Sequence, residues 1–287
     1  MSGYHTHRRT FSSLDEFVKA SQAPKSRHWM QEFQSQRKGQ KDWFGTSNFE
    51  AAIQLANEGW TKGRQMVDAN IKEIFDTGAA TTADALYRSY DLAGALPDVP
   101  LYCAGEMECM YNTGDDHRAQ KPVMRLWVCV EVNCGVDAST MINRAAAVSA
   151  LVAELESQGH SLEVSAIFGC GNHATKDMYH WTVELKQAGQ MLSLDDIAFG
   201  LGHPAMQRRI NFAIAESDDW VASHSGGEYQ RGYGCAIGLR EGQIPDDVIY
   251  LRHLTTGDNR THRTPEEAMN ATRKLFEAQL DAKLQDA

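Results

Sequence analysis

The sequence predicts an α/β fold: a mixed sheet laid down in the order β-α-β-β-α-β-α, preceded by a helical N-terminal region. Three observations carry this prediction. The chain has 287 residues, 42% of them hydrophobic and 23% charged, with no long low-complexity tract, so it can bury a large core. Its first half carries helix-start patterns. Its second half alternates β-branched apolar runs with three-four-spaced apolar positions.

Taken in order, Ser13 and Glu16 form a capping-box pattern ahead of Phe17 and Val18. Ser47 and Glu50 repeat it before Phe49, Ala52, Ile53 and Ala56, and Gly59 is a natural stop. The spacing of Met66, Asn70, Ile71, Ile74 and Phe75 predicts a third helix from Thr61 to Phe75. Pro97 and Pro100 exclude a helix in the irregular stretch that follows. "VMRLWVCVEV", residues 123–132, is apolar on both faces at its centre and reads as an interior strand. Asp137 is placed to cap a helix carrying Met141, Ala145, Val148, Val152 and Leu155, closed by Gly159. "SLEVSAIFG" and "MYHWTVEL" are the next strands, joined hairpin-fashion by "GCGNHATKD". Ser193 and Asp196 open a helical region that Gly200, Gly202 and Pro204 interrupt and that resumes to Glu216. "DDVIYLRHL" is the fourth strand, and Thr264, Pro265 and Glu267 begin the clearest helix of the chain.

The turn-rich "NTGDDHRAQKP" divides the chain into a helical N-terminal region, 1–115, and an α/β domain, 116–287. Two architectures fit the element order: a split β-α-β sandwich, and an open three-layer sheet with an antiparallel edge hairpin, as in von Willebrand A-type domains. The interior character of the first strand favours the second.

Several classes of function find no support. No Walker loop, no G-x-G-x-x-G after a strand and no G-x-S-x-G elbow occurs. The pairs Asp195–Asp196, Asp218–Asp219 and Asp246–Asp247 read as helix starts and turns. A von Willebrand A-type metal site would need D-x-S-x-S where the chain has "EVNCGVDAS", which leaves Glu131 and Ser139 without a matching set. The six cysteines include no C-x-x-C pair and read as reduced thiols; Cys170 and His173 lack a second ligand pair for zinc. The reading is therefore of a protein that is not an enzyme and takes no cofactor or metal. No apolar run is long enough to cross a membrane and the N-terminus is no signal peptide, so no membrane partner and a cytoplasmic location are expected.

Charge is unevenly spread. Residues 1–41 hold eight cations against three acids, a net of +5, so the remaining residues carry −15 of the chain's −10. A strand-gripping protein needs cations for the backbone and aromatic faces for bases. The basic arm offers Arg8, Arg9, Lys25, Arg27, Arg37, Lys38, Lys41 and Trp43. A second group follows the fourth strand: Arg252, Arg260 and Arg263 in "RHLTTGDNRTHR". A third lies in "SGGEYQRGYG", with Tyr229, Arg231 and Tyr233. If this stretch and the strand-end loop fold over one side of the sheet, they make an aromatic, cationic groove; on opposite sides, the stretch is a plain loop.

"WFGTSNFEAAIQLANEGWTKG", "DVPLYCAGEMECM" and "MINRAAAVSALVAELESQGHSLEV" resemble a family of tailed-phage proteins of unassigned function, through W-x-G, G-W-x-x-G and an N-R-A-A-A helix ending in L-E-x-x-G. The likeness spans residues 10 to 170. In size and character the chain also resembles Drc-type cofactors, single-stranded-DNA-binding proteins of phages that encode their own RNA polymerase. That resemblance implies single-stranded DNA and a phage RNA polymerase as partners, with a role in recruiting polymerase to melted promoters, and leaves room for a homo-oligomer. The alternative is a protein-protein adaptor with a degenerate von Willebrand A-type domain; a hydrolase or nuclease with an unrecognised site is a third reading.

Overall fold

The structure is a computed structural model. It describes residues 5–25, 33–80, 123–172, 176–224, 235–240 and 242–286, with 90–93, 96–97, 102–103, 105, 107 and 109–111 between them. Strand β1 (His5–Phe11) comes first, then helices α1 (Leu14–Ala20), α2 (Lys41–Phe44), α3 (Phe49–Glu58) and α4 (Thr61–Asp76). Three two-residue strands, β2 (Tyr90–Asp91), β3 (Leu96–Pro97) and β4 (Met110–Tyr111), pair in the order β2-β4-β3. The main body runs β5 (Val123–Cys129), α5 (Ala138–Ser157), β6 (Ser161–Asn172), β7 (Asp177–Lys186) and α6 (Leu194–Gly202). A π-helical turn, Met206–Asn211, leads into α7 (Phe212–Ser217) and α8 (Asp219–His224). Strand β8 (Val248–Leu251) and helix α9 (Pro265–Asp286) close the chain.

This is the predicted α/β class, with the predicted element order from β5 to α9. The mixed five-stranded sheet has the order β1-β7-β6-β5-β8. β5 runs parallel to both β6 and β8, so it is interior, as its doubly apolar sequence requires. β7 returns antiparallel beside β6. The unforeseen member is β1, which pairs parallel to β7 from His5↔Asp177 to Phe11↔Val183 and draws part of the basic arm into the sheet.

The caps follow local chemistry with two departures. Ser13, Ser193 and Thr264 accept the predicted N–H bonds from Glu16, Asp196 and Glu267. Helix α3 is capped by Asn48, which accepts from Ala51 N at 2.8 Å, one residue after the expected Ser47. Asp137 occupies the cap of α5 without a side-chain bond; its N–H donates instead to Asn259 at 3.1 Å.

One face of the sheet buries Leu126, Val128, Val130, Val164, Phe168, Trp181 and Val183 against α5, α6 and α9, on which α4 packs in turn, in a single apolar cluster that also holds Phe11, Phe17 and Ile71 from the first region. Among the described residues, the other face carries no third layer of helices of the kind the favoured architecture has. There Trp127, Cys129, Ile167 and Tyr250 meet Leu239 and Ile244 of the segment entering β8. Beyond that segment lies an open polar face, a depression of about 320 Å³ lined by Thr10, Arg125, Glu163, Ser165, Thr182 and Glu184 among others.

The two sheet edges are finished differently. At β8, Gln279 of α9 accepts from Tyr250 N at 2.7 Å and donates to Tyr250 O, so one side chain serves both groups a further strand would need. β1 has no such cover among the described residues. No helix among the described residues is long and apolar enough to cross a membrane.

Candidate nucleic-acid interface

The basic arm is fastened to the body rather than hung from it. The π-turn sequence Gln207-Arg208-Arg209-Ile210 aims two adjacent guanidinium groups at residues 35–46. Arg209 is fully buried and donates to Thr46 Oγ1 (3.0 Å), Ser35 O (2.9 Å), Arg37 O (2.8 Å) and Thr46 O (3.1 Å) while lying 4.1 Å over the Phe44 ring. Arg208 donates to Trp43 O at 2.6 Å and stacks on the Trp43 ring at 4.8 Å. The buried carboxylate of Glu216 accepts both the N–H and the hydroxyl of Ser35. Between these anchors Gly39 (φ 82°) and Gln40 (φ 47°) take successive left-handed conformations, which turns the chain between Lys38 and Lys41. Arg37, Lys38 and Lys41 are exposed, and among the described residues none is in an ion pair. The result is three cations on a preformed loop.

Lys41 also begins the wall of a groove of about 660 Å³, which Trp60, Lys62, Met66, Ile142 and His203 line further along. The W-x-G and G-W-x-x-G stretches build it, for a steric reason. A Cβ on Gly63 would fall 1.9 Å from Trp60 Cε3, so only glycine lets the indole lie on the first turn of α4. A Cβ on Gly45 (φ 76°) would fall 2.8 Å from His203 Cε1, so only glycine lets α2 close on the chain at 203–205. Trp60 stands edge-to-face to His203 at 4.4 Å and remains half-buried. Ala138, at the first turn of the 20-residue helix α5, opens on the same groove and turns the positive end of its dipole toward it. Trp60, Lys62 and His203 were not singled out by sequence. G-W-x-x-G was the available signal.

The other sequence candidates are placed as follows. Lys25 donates to Ser21 O and Ala213 O, sits 5.4 Å from the Phe49 ring, and has its pKa lowered by burial, so its role is to brace the fold. Arg8 and Arg9 are exposed on β1; Arg8 reaches Gln243 O and Arg9 lies over Phe11. Trp43 is taken up by Arg208 and Phe44. Arg252 is bound fork-to-fork by Asp258 at 2.8 and 2.9 Å. Against the cost of burial, the Arg252 and Thr255 donors hold the Asp258 carboxyl well below the usual carboxylate range. Arg263 pairs with Glu267, while Arg260 is exposed and unpaired among the described residues. Arg27, Tyr229, Arg231 and Tyr233 lie outside the described residues.

The residues flanking "SGGEYQRGYG" are informative. Downstream, Ala236 N bonds Asn133 Oδ1, and Ile237 N and Gly238 N bond the buried Glu131 carboxylate, which also accepts from Gly169 N. Asn133 N in turn bonds Leu254 O, at the start of the strand-end loop. That flank and the "RHLTTGDNRTHR" loop therefore meet at the carboxyl end of β5. Glu131, which a metal-site reading would have needed, and its neighbour Asn133 are occupied in holding them together.

Buried histidines give the fold an acid limit. Burial lowers His180, His203 and His262 from 6.5 to about 4. Between those values the unfolded chain binds more protons, so their contribution is fully present above pH 6.5 and is lost as pH falls toward 4. Glu131, which burial raises from 4.5 to about 7, acts in the opposite direction and offsets part of this. Neither ring nitrogen of His180 has a hydrogen-bond partner, so His180→Phe should be tolerated. It should lessen the loss of stability on acidification by up to about 1.4 kcal/mol per pH unit. Thermal melts between pH 7.5 and pH 5 check this; the same acid slope in variant and wild type would contradict it.

Residues 3–279 match a family model described as a domain of unknown function, DUF7192. Neither the curated proteins nor the solved structures contain a match to the chain.

Proposed function

We propose that this chain, which belongs to the DUF7192 family, is a non-enzymatic single-stranded-DNA-binding protein that grips the strand along the 37–41 loop and the Trp60 groove. The observation that carries the reading is the pairing of a clamped loop, whose three cations make no ion pair among the described residues, with a groove walled by Trp60 that carries Lys62 as well as Asp42. Single strands are held by cations tracking phosphates and by ring faces taking bases. A loop already fixed by Arg209 loses little entropy on binding, which leaves more of the contact energy as affinity. The acidic body favours single strands indirectly, because it repels the denser charge of duplex DNA away from the local basic path. In the setting that the phage resemblance implies, the protein would act in the host cytoplasm as a cofactor that brings a phage RNA polymerase to melted promoters.

Salt dependence tests which cations act. Alanine at Arg37, Lys38 and Lys41 together should lower the slope of log K against log salt by about two, since each phosphate contact on a single strand contributes about 0.7. Alanine at Arg252 and Arg263 should leave the slope unchanged, because carboxylates already satisfy both. Oligonucleotide titrations at several salt concentrations distinguish the two sets. A slope that responds to the second set and not the first would move the interface to the strand ends.

A further inference from the structure

The uncovered edge of the main sheet has its own chemistry. In a parallel ladder the N–H and C=O of one residue point to the same side, and successive residues alternate. His5 N bonds Lys176 O, which sets the phase: His5, His7, Arg9 and Phe11 face β7, and Thr6, Arg8 and Thr10 face outward. No hydrogen bond among the described residues reaches the main-chain groups of those three. Three consecutive donor-acceptor pairs are thus presented along one edge. The opposite edge of this sheet, β8, is closed by Gln279.

The charged side chains of the strand itself are all cationic. Arg8 and Arg9 are exposed, and neither is in an ion pair among the described residues. Acids stand nearby: Glu16 accepts from both Ser12 N and Ser12 Oγ and lies within electrostatic reach of Arg9, Asp218 accepts from Tyr179, and Glu163 and Glu184 line the depression on the open face together with Thr10.

We propose that β1 is a docking edge that takes an extended, acidic segment of another protein as an additional strand. Main-chain pairing to Thr6, Arg8 and Thr10 would supply the register, and Arg8 and Arg9 would select acidic side chains. A second copy of this chain is a poor occupant through β1 itself, since pairing two such strands sets arginines against arginines. A nucleic-acid strand could use the arginines but has no row of amides to match the outward groups. The proposal rests on the edge and its charge, not on the DNA-binding reading.

Fluorescence anisotropy on the full chain tests it, with a labelled peptide of alternating Glu and Val. Thr6→Pro removes one outward N–H, leaves every N–H that faces β7, and is a substitution that edge strands tolerate. It should weaken binding several-fold, up to about tenfold, while Thr6→Val has little effect. Reversing Arg8 and Arg9 to Glu should weaken it by about tenfold or more at low salt. The same peptide N-methylated at alternate residues should fail against the wild-type protein, which removes any dependence on how the proline variant folds. Binding of the methylated and unmethylated peptides alike, or no binding of either, would overturn the proposal. Displacement of the peptide by a single-stranded oligonucleotide would also overturn it, by making the edge part of the DNA path. Failure of DNA binding with peptide binding intact would leave it standing.

Discussion

Arg209→Lys should destabilise the protein by about 3–5 kcal/mol, nearly as much as Arg209→Ala, although it keeps the charge. The guanidinium donates to four acceptors on three residues, Ser35, Arg37 and Thr46, and covers Phe44. An ammonium on a flexible stem cannot reproduce that planar fork, so buried carbonyls would lose their donors. A loss of this size is a large part of the 5–15 kcal/mol typical of a folded domain. Urea titration should show a lower midpoint with an unchanged slope. Single-strand affinity should fall in the same variant even well below its transition, because the 37–41 loop loses its anchor. A lysine variant within about 1 kcal/mol of wild type would show that the clamp is not what fixes the arm.

Much of the α/β body could be read from sequence because its signals are local. The Thr264, Pro265 and Glu267 start of α9 and the doubly apolar β5 needed no tertiary information. β1 was hidden because an exposed edge strand has almost no apolar alternation: in "HTHRRTF" only Phe11 is buried, so the stretch reads as a basic arm. The site was harder for a different reason. Arg208 and Arg209 look like cations within a helix until the π-turn sets both against a loop more than 160 residues away in sequence. The Arg263–Glu267 pair has ordinary helical spacing and was readable, but the Arg252–Asp258 pair depends on the short turn that follows β8. The G-W-x-x-G stretch was visible as a pattern. That it seats an indole on a helical turn depends on a 1.9 Å clearance no sequence displays.

In the proposed mode of binding, the Trp60 groove holds a base of a single strand. Stacking on an aromatic face contributes about 1–3 kcal/mol per base, so Trp60→Ala should weaken single-strand binding roughly ten- to hundredfold. Trp60→Phe should retain most of the affinity, because a ring face remains. Gly63→Ala should behave like the alanine variant with Trp60 still present, since its Cβ would occupy the place of the indole and force the ring off the helix. The stability of the fold should change less, because Trp60 is half-buried and lies at the rim of the core. The direct measurement is a titration of a fluorescent single-stranded oligonucleotide with wild type, Trp60→Ala, Trp60→Phe and Gly63→Ala, each paired with a thermal melt. The account predicts tight binding by wild type and Trp60→Phe, and loss of about tenfold or more in both Trp60→Ala and Gly63→Ala with melts that remain cooperative. Equal affinity in all four proteins, or no binding by the wild type, would contradict it.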